Sequence, residues 1–231
     1  MSNFEKYVIA KKAEILYSLF MTKHIRPLGY KNLALPITFA AVASNFMGVW
    51  FAFQGFVDAA MVCLILAGIF DMFDGPIARR QQKRSQDELM FGIELDSLAD
   101  VINFGFVPAL LLYMSGLRRW FYVPFFFLYI LCAIVRLAYF NVRSIKRFSD
   151  STIGYDFVGL PVTSAAASFP VAWLIAQWLP SPWGKILLTA VMLISAILFV
   201  SPIRVPKIRK KQYPIVILLG IILVIIYAFR I

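Results

Sequence analysis

The sequence predicts an all-α fold, a polytopic bundle of membrane-spanning helices, on three observations. Hydrophobic residues make up 61% of the 231 residues, and the mean hydropathy is +0.79. A single soluble core of this size does not bury that much apolar surface. Seven apolar stretches, each near the length of a bilayer crossing, recur along the chain. Basic residues collect in alternate short segments between those stretches, as they do in membrane proteins. The net charge of +11 is therefore a matter of topology and gives no reason to expect a nucleic-acid partner. Cys63 and Cys132 both fall inside apolar runs and are expected as small packing residues, with no disulfide or metal clip.

Taken in order, residues 1–34 form an N-terminal segment in which Phe4, Tyr7, Val8, Ile15, Leu19 and Phe20 interleave with Lys6, Lys11, Lys12 and Lys23. That pattern fits an amphipathic helix lying in the membrane interface, with an ordinary solvated helix as the alternative. No compact apolar core with a small-residue cleavage site marks a signal peptide. Spans are expected near 35–54, 57–74, 93–115, 120–141, 158–179, 184–202 and 213–230. Ser85 and Glu88 form a capping-box pattern that starts the third span early. No internal repeat divides the chain.

Lys and Arg number six in residues 1–35, four in 79–84, three in 143–147 and five in 204–211. The other side holds only Arg118, Arg119, Lys185 and Arg230. Eighteen against four places the N-terminus in the cytoplasm and, with seven spans, the C-terminus outside. It also brings the polar ends of spans 2 to 5 together on the cytoplasmic side.

Two of those ends carry acids. Asp71 and Asp74 are spaced i,i+3, and Asp96 and Asp100 i,i+4, so each pair shares one face of its helix. Carboxylates crowded at the margin of hydrocarbon are costly unless a cation neutralises them. An all-oxygen set suits hard Mg²⁺, Mn²⁺ or Ca²⁺. The single histidine, His24, lies elsewhere. Gly75 and Ala78 remove side-chain bulk one turn apart, and Arg79 offers a planar fork for phosphate oxygens. Metal, small residues and arginine together suggest a diphosphate ligand. A salt-bridged collar at a helix end is the plainer account of the first pair taken alone.

The string Asp71-x2-Asp74-Gly75-x2-Ala78-Arg79, followed by Gly92-x3-Asp96-x3-Asp100, resembles the signature of the CDP-alcohol phosphotransferase family at all eight fixed positions. The stretch between Arg79 and Gly92 is longer than in many members. Within the family, Asp96-Ser97-Leu98-Ala99-Asp100 leading into Phe104-Gly105 and Pro108-Ala109 is similar to the phosphatidylserine synthases. So are Ser44-Asn45 with Gly48, Arg136 to Asn141, Gly159-Leu160-Pro161 and Val200 to Pro206; Asn103 stands where many of those enzymes have serine. The resemblance covers about 35–207 as the transmembrane domain, with a six-helix core, and leaves 208–231 as an additional C-terminal span.

That resemblance implies phospholipid biosynthesis at the cell (inner) membrane: attack by a small alcohol, L-serine in this branch, on CDP-diacylglycerol, with CMP leaving. It implies metal held by Asp71, Asp74, Asp96 and Asp100, with Asp100 also the catalytic base, and the CDP-lipid cradled by Gly75, Ala78, Arg79 and Gly92. It further implies a homodimer among membrane lipids. Arg136, inside an apolar run, is the first candidate to clamp the acceptor's carboxylate or a phosphate, with Arg143 next and Arg204 third; snorkelling to head groups is the alternative for Arg136. Asn141 is a further acceptor candidate, with a hydrogen bond between helices as the alternative for it and for Asn45. Other acceptors (glycerol phosphate, inositol phosphate, choline) or an ether-lipid donor would use the same chemistry. An ion or metabolite transporter is the rival of a different class, disfavoured because no acid lies midway along spans 4 to 7.

Overall fold

The computed structural model describes Lys11 and residues 34–78, 85–149, 157–205 and 213–230. The N-terminal segment, Arg79 and the rest of the 79–84 turn lie outside the described residues, apart from Lys11. Among the described residues, seven helices correspond to the seven apolar stretches. Helix α1 (Leu35–Phe53) buries Thr38, Ala41, Asn45, Gly48 and Ala52, a stripe at i,i+3,i+4 spacing. Phe39, Phe46, Trp50 and Phe53 are exposed on its other face, as a helix facing lipid requires. Gly55, at φ +89°, turns the chain into α2 (Val57–Ala78). Small residues let these two helices approach: a Cβ on Gly48 would lie 2.9 Å from Cys63 Cβ and 3.2 Å from Ala60 O.

Helix α3 runs from Gln86 to Met114, beginning seven residues before the expected start of its span. The cause is local. Ser85 Oγ accepts from Glu88 N at 3.2 Å while Glu88 Oε2 accepts from Ser85 N at 3.0 Å, so the capping box holds the first turn. The rod is α-helical over Gln86–Asp100, a π-helix over Val101–Phe106 and α-helical again over Val107–Met114. Pro108 has no N–H, so Phe104 O loses its α-helical donor. The buried Tyr129 hydroxyl donates to that carbonyl at 2.6 Å.

Tyr129 belongs to α4 (Val123–Ser149), which continues well past the expected end of its span. A two-residue antiparallel ladder then pairs Phe157 with Val205 and Val158 with Arg204. Gly159 follows at φ +81°, where a Cβ would lie 2.4 Å from Phe199 O, so glycine is required there. Helix α5 (Ala165–Ala176), after a 3₁₀ turn, and α6 (Trp183–Val200) complete the bundle. Helix α7 (Tyr213–Ala228) packs on α2 and α5, where buried Tyr227 donates to Pro170 O at 2.7 Å.

Four helical segments, Leu35–Phe53, Gln86–Met114, Trp120–Lys146 and Trp183–Val200, are long and apolar enough to cross a membrane. Two shorter apolar helices, Val162–Ala176 and Pro214–Ala228, accompany them, and α2 adds 22 residues that carry Asp71 and Asp74. The chain is a polytopic helical membrane protein.

Close packing of α2 on α5 rests on Gly68, whose added Cβ would lie 2.4 Å from Ala166 Cβ. Gly68→Ala should lower thermal stability by about 1–3 kcal/mol through overpacking. Gly220→Ala, whose Cβ would meet the flexible end of Ile69 at 3.2 Å, should cost clearly less. Melting curves of the two variants in detergent, if indistinguishable, would contradict this crossing.

Candidate active site

The site forms where the C-terminal third of α2 faces the first half of α3. Helical spacing sends Asp71 and Asp74 from one helix toward Asp96 and Asp100 from the other. Oxygens of Asp71, Asp96 and Asp100 all lie within 4.8 Å of one another. Asp71 sits in hydrogen-bonding proximity to Asp100, and Asp74 to Asp96, so the acids form two rungs between oppositely directed helices. Asp74 and Asp100 are buried, and Asp74 also accepts from the backbone N–H of Gly75.

Arg136 of α4 is buried, close enough to Asp71 and Asp100 to interact with their charges. Its guanidinium stacks over the Phe140 ring, 5.2 Å from the centroid. One arginine against four carboxylates leaves a formal surplus of three negative charges among these residues (−4 + 1). Carboxylates in mutual contact need a positive charge between them. Asp74 Oδ2 is moreover buried with no hydrogen-bond partner, an acceptor without its donor or cation. An all-carboxylate donor set with an orphaned, buried oxygen fits a hard divalent cation. Asp71, Asp96 and Asp100 lie close enough together to hold one metal ion, with Asp74 and Arg136 beside them.

A second polar layer was only partly visible in the sequence. Ser97 Oγ donates to Asn141 Oδ1 at 2.6 Å, and Asn141 Nδ2 donates to Glu94 Oε2 at 3.4 Å. Asn141 thus ties α4 to α3 beside the acids. Asn45 Nδ2 donates to Asn103 O and to Asn103 Oδ1, both at 3.1 Å, which ties α1 to the π-helical turn just after Asp100. Such turns recur at functional sites. Ser97 and Asn103 enter the sequence reading only as motif positions; their adjacency to an aspartate on a span was the available signal.

The other candidates scatter. Gly75, Ala78 and Gly92 lie on the same two helices as the acids. Arg143 on α4 places its guanidinium over Tyr139, 5.8 Å from the ring centroid. The backbone of Arg204 pairs with Val158, and its side chain lies outside the described residues.

Comparison with known proteins shows the family. The family model described as CDP-alcohol phosphatidyltransferase matches residues 31–229. The chain belongs to that family. Among curated relatives of this family member, a Mycobacterium tuberculosis protein named CDP-diacylglycerol–serine O-phosphatidyltransferase is 31% identical over 191 residues, covering 74% of this chain and 64% of the relative. An archaetidylserine synthase of Methanothermobacter thermautotrophicus is 30% identical over 179 residues, covering 76% and 71%. A Helicobacter pylori protein with the same name as the mycobacterial one is 29% identical over 188 residues, covering 76% and 72%. The chain thus spans somewhat less than two thirds of the length of its mycobacterial relatives.

Because both ends of the Asn141 amide are engaged, Asn141→Ala leaves the Ser97 hydroxyl without its acceptor. A loss of about 1–3 kcal/mol in thermal stability is expected. If Asn141→Ala instead melts like the unaltered protein, the interhelical role is wrong.

Proposed function

We propose that this chain transfers a phosphatidyl group from CDP-diacylglycerol to L-serine, forming phosphatidylserine and releasing CMP in phospholipid biosynthesis. The observation that carries this reading is the clustering of Asp71, Asp74, Asp96 and Asp100 across two helices of a family member. The names of the mycobacterial and Helicobacter relatives support serine as the acceptor. The archaeal relative's name also supports serine and favours, as a second reading, an ether-lipid donor.

In this proposal Asp71, Asp74 and Asp96 hold Mg²⁺ or Mn²⁺, with Ca²⁺ a further occupant, and Asp100 both contributes a ligand and takes the proton of the serine hydroxyl. When bound, the cation neutralises diphosphate charge and the charge on departing CMP. The serine oxygen forms a bond to the phosphorus nearest diacylglycerol as the phosphoanhydride bond to CMP breaks. Gly75, Ala78 and Gly92 leave room along the backbone for the cytidine diphosphate, and Arg79 meets its phosphates. Arg136 offers the serine carboxylate a two-point fork beside Asp100, with Arg143 the next candidate for that role and Arg204 the third. The charge distribution supports a site open to the cytoplasm of a cell (inner) membrane, an N-terminal segment in the interface and, by family resemblance, a homodimer.

Purified protein given CDP-diacylglycerol, Mn²⁺ or Mg²⁺ and a panel of labelled alcohols tests this directly, with serine-dependent CMP release expected. Asp71→Asn, Asp74→Asn and Asp96→Asn should each lower the rate by on the order of 10²–10³-fold, and Asp100→Asn by about 10²–10⁴-fold. Glu94→Gln keeps an acceptor for Asn141 and should be tolerated. Full activity in excess EDTA would sink the metal role, and CMP release with glycerol phosphate but not serine would reassign the acceptor.

Arg136→Lys separates two roles for that residue. It keeps a charge but loses the planar fork, so apparent serine affinity should fall about ten- to hundred-fold while CDP-lipid affinity changes little. Weakened CDP-lipid binding with serine binding intact would make Arg136 a diphosphate contact.

A further inference from the structure

At the end of the bundle away from the acids, a pocket of about 610 Å³ opens among four segments. Its lining includes Phe56 and Asp58 at the start of α2, Arg118 after α3, Trp173 and Gln177 at the end of α5, and Arg230 after α7. About 20 Å of helical rise separates Asp58 from Asp71 on α2, so this pocket and the acid cluster lie toward opposite ends of that helix.

The charge there runs against the distribution of the rest of the chain. Only four basic residues fall on this side, Arg118, Arg119, Lys185 and Arg230. Two of them line the pocket. A third, Lys185, borders it, its Cε 3.8 Å from the position of a Cβ on pocket-lining Gly116. The single acid, Asp58, is already engaged. Its Oδ1 accepts from Trp173 Nε1 at 2.6 Å and Gln177 Nε2 at 2.9 Å, and its Oδ2 lies 3.8 Å from Arg230 Nε. Arg230 also donates to Gln177 Oε1. These contacts fix the floor and leave a net charge of about +2 around the opening, three cations against one carboxylate.

Arg118 is the free arm of this arrangement. It is exposed, and among the described residues its guanidinium makes one long hydrogen bond, to Met114 O at 3.4 Å. Most of its five N–H donors therefore remain for a ligand. Next to it the wall is apolar, with Phe56, Val57 and Met114. A guanidinium fork beside an apolar wall, among helix ends at a membrane surface, matches a phosphate joined to a glycerolipid better than a free ion.

We propose that this pocket binds the phosphodiester of a phospholipid head group in the leaflet opposite the acids, with Arg118 as its principal contact. The site rests on the bundle alone and does not depend on the activity proposed above. Native mass spectrometry of the full chain released from nanodiscs containing phosphatidylglycerol and diacylglycerol reads it. Arg118→Gln removes the contact. Arg119→Gln makes the same charge change at the adjacent exposed residue, which does not line the pocket.

The unaltered chain and Arg119→Gln should retain phosphatidylglycerol about tenfold better than Arg118→Gln, and Arg118→Lys should recover part of the difference. Matched melting curves for the two glutamine variants show that the loss is local. Equal retention by both variants, or diacylglycerol held as firmly as phosphatidylglycerol, overturns the proposal. Displacement of the retained lipid by millimolar inorganic phosphate would make the ligand a soluble phosphate and overturn the lipid assignment.

Discussion

Three carboxylates within 4.8 Å of one another, Asp71, Asp96 and Asp100, with Asp74 close beside them, are the constraint around which the bundle is organised. Each is costly there alone, and together they repel. What keeps Asp71, Asp74, Asp96 and Asp100 at such short range is the packing of both α2 and α3 on α1, and no local preference of the chain brings them together. Arg136 offsets one charge from a third helix, α4, and its stacking on Phe140 holds the guanidinium in an otherwise apolar stretch. The all-carboxylate donor set and the unpartnered Asp74 oxygen fit a hard cation.

The helices reach this arrangement through small residues and redirected backbone hydrogen bonds. Gly48 and Gly68 let α1 and α5 press close to α2, a route to association that matters in lipid, where burial of apolar surface gives little drive. Beyond Asp100 the rod relaxes into a π-helical turn, and Tyr129 serves the carbonyl that Pro108 leaves without its donor. Asn103 in that turn is gripped by Asn45 of α1. The chain just beyond the acids is thereby held from both α1 and α4.

The two membrane faces of the bundle are built on different chemistry. One gathers acids and a buried arginine; the other gathers arginines and a lysine around an acid already satisfied by Trp173, Gln177 and Arg230. Helix α7 contributes to the second face through Arg230, which follows it, and to the core through Tyr227, so the last helix is part of the bundle's packing.

The apolar runs alone determined the helical class and the positions of seven helices, because in a bilayer every backbone group must be satisfied within its own helix. Spacing determined that Asp71 with Asp74, and Asp96 with Asp100, share a face, since helical periodicity is a local property. The Ser85–Glu88 capping box, also local, was legible too. Only the tertiary structure decided which acid faces which, that Asn141 is occupied by Ser97 and Glu94, and that Asn45 holds Asn103. Residues 44 or 58 positions apart meet through the crossing of whole helices, and no short-range pattern encodes that crossing. The pocket around Asp58 and Arg118 is of the same kind. Its basic residues were countable in the sequence, but their convergence depends on where helices α2, α3, α5 and α7 end.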